Sequence, residues 1–256
     1  MSRNFELLQK AAEEREHEQR TVVASTAEVS PEWLDQSNTA EVGAIPRGPE
    51  GHPREELTKL VQRLFLLADS ARVVVFSSVE RGAGCTWLTS QVATMLATQS
   101  RNTVCLVDAN LRHPTMHELF SLTNHNGLAD AVAAAAPLQG YLRRSPLPNL
   151  WLLTCGSPEK AESALNATEA LVAYIRQLRA QFDYVLIDSP PMNLYSDTVR
   201  LASSADGIAL VLKANSSRRE IAQRVIQEAR SHNVRILGAV LNQRTFPVPE
   251  SIYRRL

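Results

Sequence analysis

The sequence predicts an α/β fold: a doubly wound, mostly parallel sheet with helices on both faces, preceded by a largely disordered N-terminal segment. Two observations carry this expectation. Short runs at Val73 to Phe76, Thr103 to Val107, Leu150 to Thr154, Tyr184 to Ile187, Ile208 to Leu212 and Ile236 to Leu241 are apolar without alternation, as strands covered on both faces are. Between them lie stretches whose apolar residues recur at helical spacing, and strands that alternate with helices imply parallel pairing.

The 256 residues suffice for one α/β domain with a substantial core plus a tail. Hydrophobic residues make up 44% and charged residues 21%, with formal net charge zero, so no global charge argues for a nucleic-acid partner. Charge is nevertheless uneven. Residues 1–50 hold ten Asp/Glu against five Lys/Arg, whereas 213–256 hold nine Lys/Arg against three Asp/Glu. Cys85, Cys105 and Cys155 show neither metal spacing nor a disulfide framework, which fits a reducing cytoplasm. No apolar run approaches the roughly 20 residues that span a bilayer, so a membrane role is expected only through a partner.

Taken in order, residues 1–20 suit a short, mostly polar helix with Phe5, Leu8 and Ala12 along one side. Residues 21–53, rich in Ser, Thr, Pro, Gly and acids without periodicity, read as a linker. The domain is expected at 54–245. It opens on a helix over 54–68, where Leu57, Leu60, Val61, Leu64, Phe65 and Leu67 form a wide apolar stripe that must pack on something. After the first strand and its helix, Gly127 to Ala136 reads as helical and the region from Pro137 to Pro148 as irregular. Further helices are expected at Ala167 to Gln181, Asp197 to Ala202 and Arg218 to Ser231, leaving 246–256 as a tail.

The chemistry centres on Ser78 to Thr86, SVERGAGCT, between the first strand and a helix. A phosphate-binding loop uses glycines so that backbone N–H groups can cradle phosphate, a lysine for the outer oxygens, and a Ser/Thr hydroxyl for Mg²⁺. Gly82, Ala83, Gly84 and Thr86 match; Cys85 stands where the lysine belongs. The cradle and helix dipole can still hold an anion, but stabilisation of phosphoryl transfer loses a full positive charge. A thiol at a helix N-terminus is expected to have a depressed pKa, and its thiolate would repel phosphate. Arg81, in the same loop, is the one residue there that could lend a guanidinium.

Asp188 closes the apolar run YVLID, the form of a carboxylate that holds Mg²⁺ through water while Thr86 supplies the hydroxyl. Its bland reading is a turn-capping residue before Ser189, Pro190 and Pro191. Asp108 ends a second strand, where it could position or activate a nucleophile or add to the metal shell, with Arg112 beside it as a phosphate contact or a surface ion pair. Asn242 closes the last strand, where its amide suits the edge of a purine, although Asn is also a common turn residue. His113 and His117 share a helical face but have no third ligand in register.

These stretches in order, ARVVVFSSVERGAGCT, VCLVDANLRHP, WLLTCGSPEKAESAL, FDYVLIDSPPM and GAVLNQR, resemble the cytoplasmic bacterial tyrosine kinases of capsule and exopolysaccharide synthesis, within the MinD/ParA group of deviant-Walker P-loop ATPases. The resemblance covers about residues 54–245. It implies that ATP and Mg²⁺ are bound, with Gly82, Gly84 and Thr86 at phosphate and metal, Asp108 near the attacking group, Asp188 as the Walker B residue and Asn242 at adenine. It also implies a membrane-embedded polysaccharide copolymerase or a kinase paralogue as partner, and homo- or hetero-oligomers through the 54–68 helix.

Three departures point away from kinase activity: Cys85 for the lysine, Asn110 for a usual aspartate, and Tyr253 alone where such kinases carry a tyrosine cluster. The expectation is a degenerate, catalytically weakened or inactive ATP-binding regulator. The alternative is an active ATPase or tyrosine kinase using Arg81 or a partner's residue. A MinD-like positioning ATPase ranks third, because the tail TFPVPESIYRRL is too short and proline-broken for a membrane helix.

Overall fold

The computed structural model describes residues 42–50, 52–67 and 70–244. The expectations for residues 1–20, for most of the linker, and for Tyr253 and the tail lie outside the described residues.

Seven strands form one sheet in the order β3-β4-β2-β5-β1-β6-β7. They are β1 Val73–Ser78, β2 Val104–Asp108, β3 Arg143–Arg144, β4 Leu150–Leu153, β5 Tyr184–Asp188, β6 Gly207–Lys213 and β7 Ile236–Asn242. All pairings are parallel except β3 with β4. The helices are α1 His52–Val61, α2 Cys85–Gln99, α3 Met116–Leu119, α4 Leu128–Ala134, α5 Pro158–Asn166, α6 Thr168–Gln181, α7 Asp197–Ala202 and α8 Arg219–Ser231.

Strands β1 and β2 are buried along their whole length, and β5 is buried from Val185 to Asp188, as continuous apolar runs require. On one face α1 and α2 pack together over the sheet. Leu57 and Val61 of α1, Leu64 and Phe65 of the π-helical turn Gln62–Leu66 that follows it, and Val92 and Leu96 of α2 share one core. The apolar stripe of the first helix is thus largely consumed inside the domain; Leu66 and Leu67 remain exposed. Elsewhere α6 buries Leu171, Tyr174, Ile175 and Leu178, the i, i+3, i+4, i+7 set expected of it.

Four features differ from the sequence expectation. Residues 42–50, expected as linker, lie against the domain. Val42 bridges to Arg144, the Gly43 N–H donates to Arg144 O at 3.1 Å, and Gln91 Nε2 holds Arg47 O at 3.1 Å. Gly43 permits this because a Cβ there would sit 3.2 Å from Phe120 O and 3.3 Å from side chains of Leu122 and Leu152. The stretch expected to be irregular contains β3, whose two residues pair antiparallel with Trp151 and Leu152. Helix α5, not anticipated because its nine residues hold few apolar ones, starts with Pro158 at its first position and buries only Ala161 and Ala164. β7, expected to be covered on both faces, is the sheet edge, where Leu241 is 55% exposed.

The order reverses around β1. The chain leaves β1 for β2 across β5, and leaves β5 for β6 across β1. At such a switch point the loops after β1 and β5 diverge at the carboxyl ends of adjacent strands and open a crevice.

Candidate phosphate and metal site

The loop after β1 fills that crevice. Gly82 and Gly84 both have positive φ, +74° and +76°, and Gly84 is the N-cap of α2. A Cβ on Gly84 would also lie 2.6 Å from Asn242 Nδ2 and displace that amide, so glycine is favoured there by its backbone. The end of β7 braces the loop from the far side: Asn242 Nδ2 donates to Ala83 O at 2.8 Å and Gln243 Nε2 to Gly82 O at 3.0 Å. Backbone N–H groups at the start of α2, a helix of 15 residues, face the cradle.

Asp108 and Asp188 are paired in register across β2 and β5, and both are buried. Thr86 Oγ1 donates to Asp188 Oδ2 at 2.6 Å, while Asp188 Oδ1 is buried without a hydrogen-bond partner among the described residues. Asp108 accepts the N–H groups of Asn110 at 3.1 Å and Met116 at 3.3 Å. Burial pushes both carboxyls above the usual carboxylate range, and the neighbouring Asp188 raises Asp108 further. The Thr86 hydroxyl and the adjacent Cys85 thiol restrain Asp188 only partly. The donor set of two carboxylates and a hydroxyl, with one carboxylate oxygen unpartnered, fits a hard divalent cation bound by few protein oxygens, as Mg²⁺ is.

Cys85 departs from its expected state. It is buried, and desolvation together with the Asp188 charge raises the thiol well above its ordinary value despite the helix N-terminus. A neutral thiol does not repel phosphate; it also offers no positive charge.

Beside the loop lies a cavity of about 410 Å³, lined among others by Arg81, Thr86, Trp87, Asn110, Leu119 and Pro191. Arg81, which lines it, donates through Nη2 to the hydroxyl of Tyr195, and Arg112 lies 4.3 Å from the centroid of the same ring while binding Asp197 through Nε at 3.1 Å and Nη2 at 3.0 Å. Arg81 is exposed in its turn and has Tyr195 as this partner. Among the described residues no cluster of His, Cys, Asp and Glu forms a separate metal site.

The structure therefore brings Gly82, Ala83, Gly84, Cys85, Thr86, Asp108, Asp188 and Asn242 to one end of the sheet. Asn242 reaches the loop backbone, its amide N–H already donated to Ala83 O. Sequence reasoning missed Tyr195 and Gln243. Tyr195 sits in an irregular loop outside any motif, and only the crossing of three loops brings it to Arg81 and Arg112.

This fold and its glycine turn define the class, a P-loop NTPase fold of the MinD/ParA type. MinD of Pyrococcus horikoshii, complexed with Mg-ADP, superposes with TM-score 0.60 at 23% identity over 72% of this chain and 76% of that one. The chain belongs to the cellulose biosynthesis protein BcsQ family, which matches residues 71–240. The kinase resemblance holds as well. The kinase domain of VpsO superposes with TM-score 0.67 at 24% identity, covering 76% of this chain and 100% of that one. The tyrosine-protein kinase CpsD of Streptococcus agalactiae is 27% identical over 173 residues, 67% of this chain and 75% of that protein. EpsB of Ralstonia nicotianae is 29% identical over 198 residues, 77% of this chain, and the chain spans about a quarter of its length, 26%. No helix among the described residues is long and apolar enough to cross a membrane.

Proposed function

We propose that this chain is a cytoplasmic ATP-binding regulator of exopolysaccharide or capsule synthesis whose phosphoryl-transfer chemistry is weakened. The observation that supports it most is the neutral, buried Cys85 at the lysine position of an otherwise complete cradle. The glycines, the Thr86 hydroxyl and Asp188 supply what binding needs; the missing cation is what turnover needs. In this reading Thr86 and Asp188 hold Mg²⁺ through water, Asp108 faces the attacking group, and Asn242 turns to adenine once it leaves Ala83 O. Mg²⁺ supplies charge neutralisation at the phosphates when bound. The partner is a membrane-embedded polysaccharide copolymerase or a kinase paralogue, and homo- or hetero-oligomers form through the 54–68 helix, whose end leaves Leu66 and Leu67 exposed.

Calorimetric titration of the full chain with ATP–Mg²⁺, run beside a phosphate-release assay, tests this. The expected result is saturable binding with turnover at least about a hundredfold below that of Cys85→Lys, the order of magnitude associated with loss of one charge-stabilising group. Equal turnover in the two proteins sinks the weakened reading.

The second reading, an active ATPase or tyrosine kinase, is favoured by Arg81 lining the cavity. It predicts phosphotyrosine on Tyr253 or on a partner protein, abolished by Asp188→Ala.

A further inference from the structure

We infer that Tyr195 is a positioning residue that presents Arg81 to the outer phosphates of the bound nucleotide, giving the lysine-less loop a substitute cation. The inference rests on the nucleotide-binding reading above and names how that site recognises the triphosphate.

Three loops meet beside Arg81. Arg81 comes from the glycine loop after β1, Arg112 from the loop after β2, and Tyr195 from the segment between β5 and α7. Asp197 at the start of α7 grips Arg112 through two N–H groups, and the Arg112 guanidinium carbon in turn lies over the tyrosine ring, 4.3 Å from its centroid. The ring is thereby held in place, and its hydroxyl accepts from Arg81 Nη2. The guanidinium carbon of Arg81 is 5.9 Å from the ring centroid, near the ring edge where the hydroxyl sits.

The two arginines are not equivalent. The charge of Arg112 is met by the Asp197 carboxylate at 3.0 Å. Arg81 rests on a neutral phenol, which orients the guanidinium without cancelling its charge and engages one of its five N–H donors. A free arginine in an exposed turn spreads over many rotamers; one held by a fixed hydroxyl at the rim of a phosphate cradle is ready for a bidentate contact with phosphate oxygens. Arg81 lines the same cavity as Gly82 to Thr86, so the oriented cation and the N–H cradle face one volume. The phosphates nearest the loop need only the cradle; the outer ones need the cation that Cys85 cannot supply.

The test is a double-mutant cycle on the full chain, read by calorimetry with ATP–Mg²⁺ and with AMP. Arg81→Gln is expected to weaken ATP about tenfold, the scale of one charged hydrogen bond, and to leave AMP within about twofold. Tyr195→Phe keeps the ring under Arg112 and loses only the hydroxyl; it is expected to weaken ATP about three- to fivefold with AMP unmoved. The double variant should bind ATP no more weakly than Arg81→Gln alone, because Tyr195 acts through Arg81. Additive losses, equal losses for ATP and AMP, or a Tyr195→Phe protein that binds ATP like the wild type overturn the inference while leaving nucleotide binding intact. A wild-type chain that takes up no ATP overturns the nucleotide reading and this inference with it.

Discussion

Two groups of acids in this protein sit in opposite states, and each sets one limb of its pH dependence. Asp130, at the start of α4, is buried, and burial by itself raises its carboxyl. The Lys160 ammonium at 2.9 Å, the N–H groups of Gly127 and Ser157 at 2.9 Å and the Ser157 hydroxyl at 2.8 Å outweigh that and hold it well below the usual range. The folded chain releases this proton more readily than the unfolded chain, so the contribution is complete above the ordinary carboxylate pKa and fades as the pH falls through the folded value. Asp130→Asn should lower stability at pH 7 by about 1–3 kcal/mol, the cost of leaving buried donors poorly paired, and urea denaturation should show the gap closing in acid. Asp108 and Asp188 behave conversely. Their raised pKa values mean the folded chain holds protons more tightly than the unfolded one, so stability is greatest below the ordinary carboxylate value and is lost as the pH rises through the raised folded values. Asp188→Asn should therefore melt higher than wild type at pH 8 and no higher at pH 4, in thermal scans without Mg²⁺. Since a divalent cation displaces those protons, the affinity of the wild-type protein for Mg²⁺ with ATP should climb as the pH rises, and binding should release protons measurable by titration in buffers of different ionisation enthalpy.

At the scale of elements, the turn after α1 and the loop after β1 show how packing and backbone divide the labour. Phe65 is wholly buried in the π-helical turn and meets the ring of Tyr184 edge-on at 5.6 Å between centroids, while the Tyr184 hydroxyl donates to Phe65 O at 3.1 Å. Phe65→Ala should cost about 3–5 kcal/mol as a cavity-forming change, read as a shift in the urea midpoint without loss of the P-loop geometry. Gly84 acts through the backbone: its left-handed conformation strains any other residue, and a Cβ there would push the Asn242 amide off Ala83 O. Gly84→Ala should cost about 1–3 kcal/mol of backbone strain and should also abolish nucleotide binding, which a circular dichroism melt beside an ATP titration will separate. The element assignments themselves were legible where periodicity was strong. Val73 to Phe76 and Leu171 to Leu178 announce a buried strand and an amphipathic helix, because burial on two faces or on one stripe leaves its period in the residues. Helix α5 was not legible, since a helix that buries only two alanines carries no such period. The placement of residues 42–50 against Arg144, Phe120 and Gln91 was equally hidden, because a bare extended strap is held by backbone groups whose partners lie far along the chain.

For the whole molecule, the sheet order converts four separated motifs into one crevice, and ligand binding there should tighten the entire fold. At ATP–Mg²⁺ a hundredfold above its dissociation constant, linkage gives about 2.7 kcal/mol, which for a domain of this size is a rise of several degrees in melting temperature. Differential scanning fluorimetry should show that rise in the wild type and lose it in Asp188→Ala. The sequence by itself determined the fold class and the chemical parts: the continuous apolar strands, the glycine turn, the Thr86 hydroxyl, the strand-end aspartates and the missing lysine are all local facts of residue type and spacing. Only the tertiary structure decided the state of those parts. The sequence could not show that Cys85 is a neutral buried thiol, that Asp108 and Asp188 sit side by side with raised proton affinity, or that Arg81 donates to the hydroxyl of Tyr195. Protonation depends on desolvation and on charges brought near by strand pairing, and a contact between three loops depends on the order of strands in the sheet; neither quantity is a property of any stretch of chain taken alone.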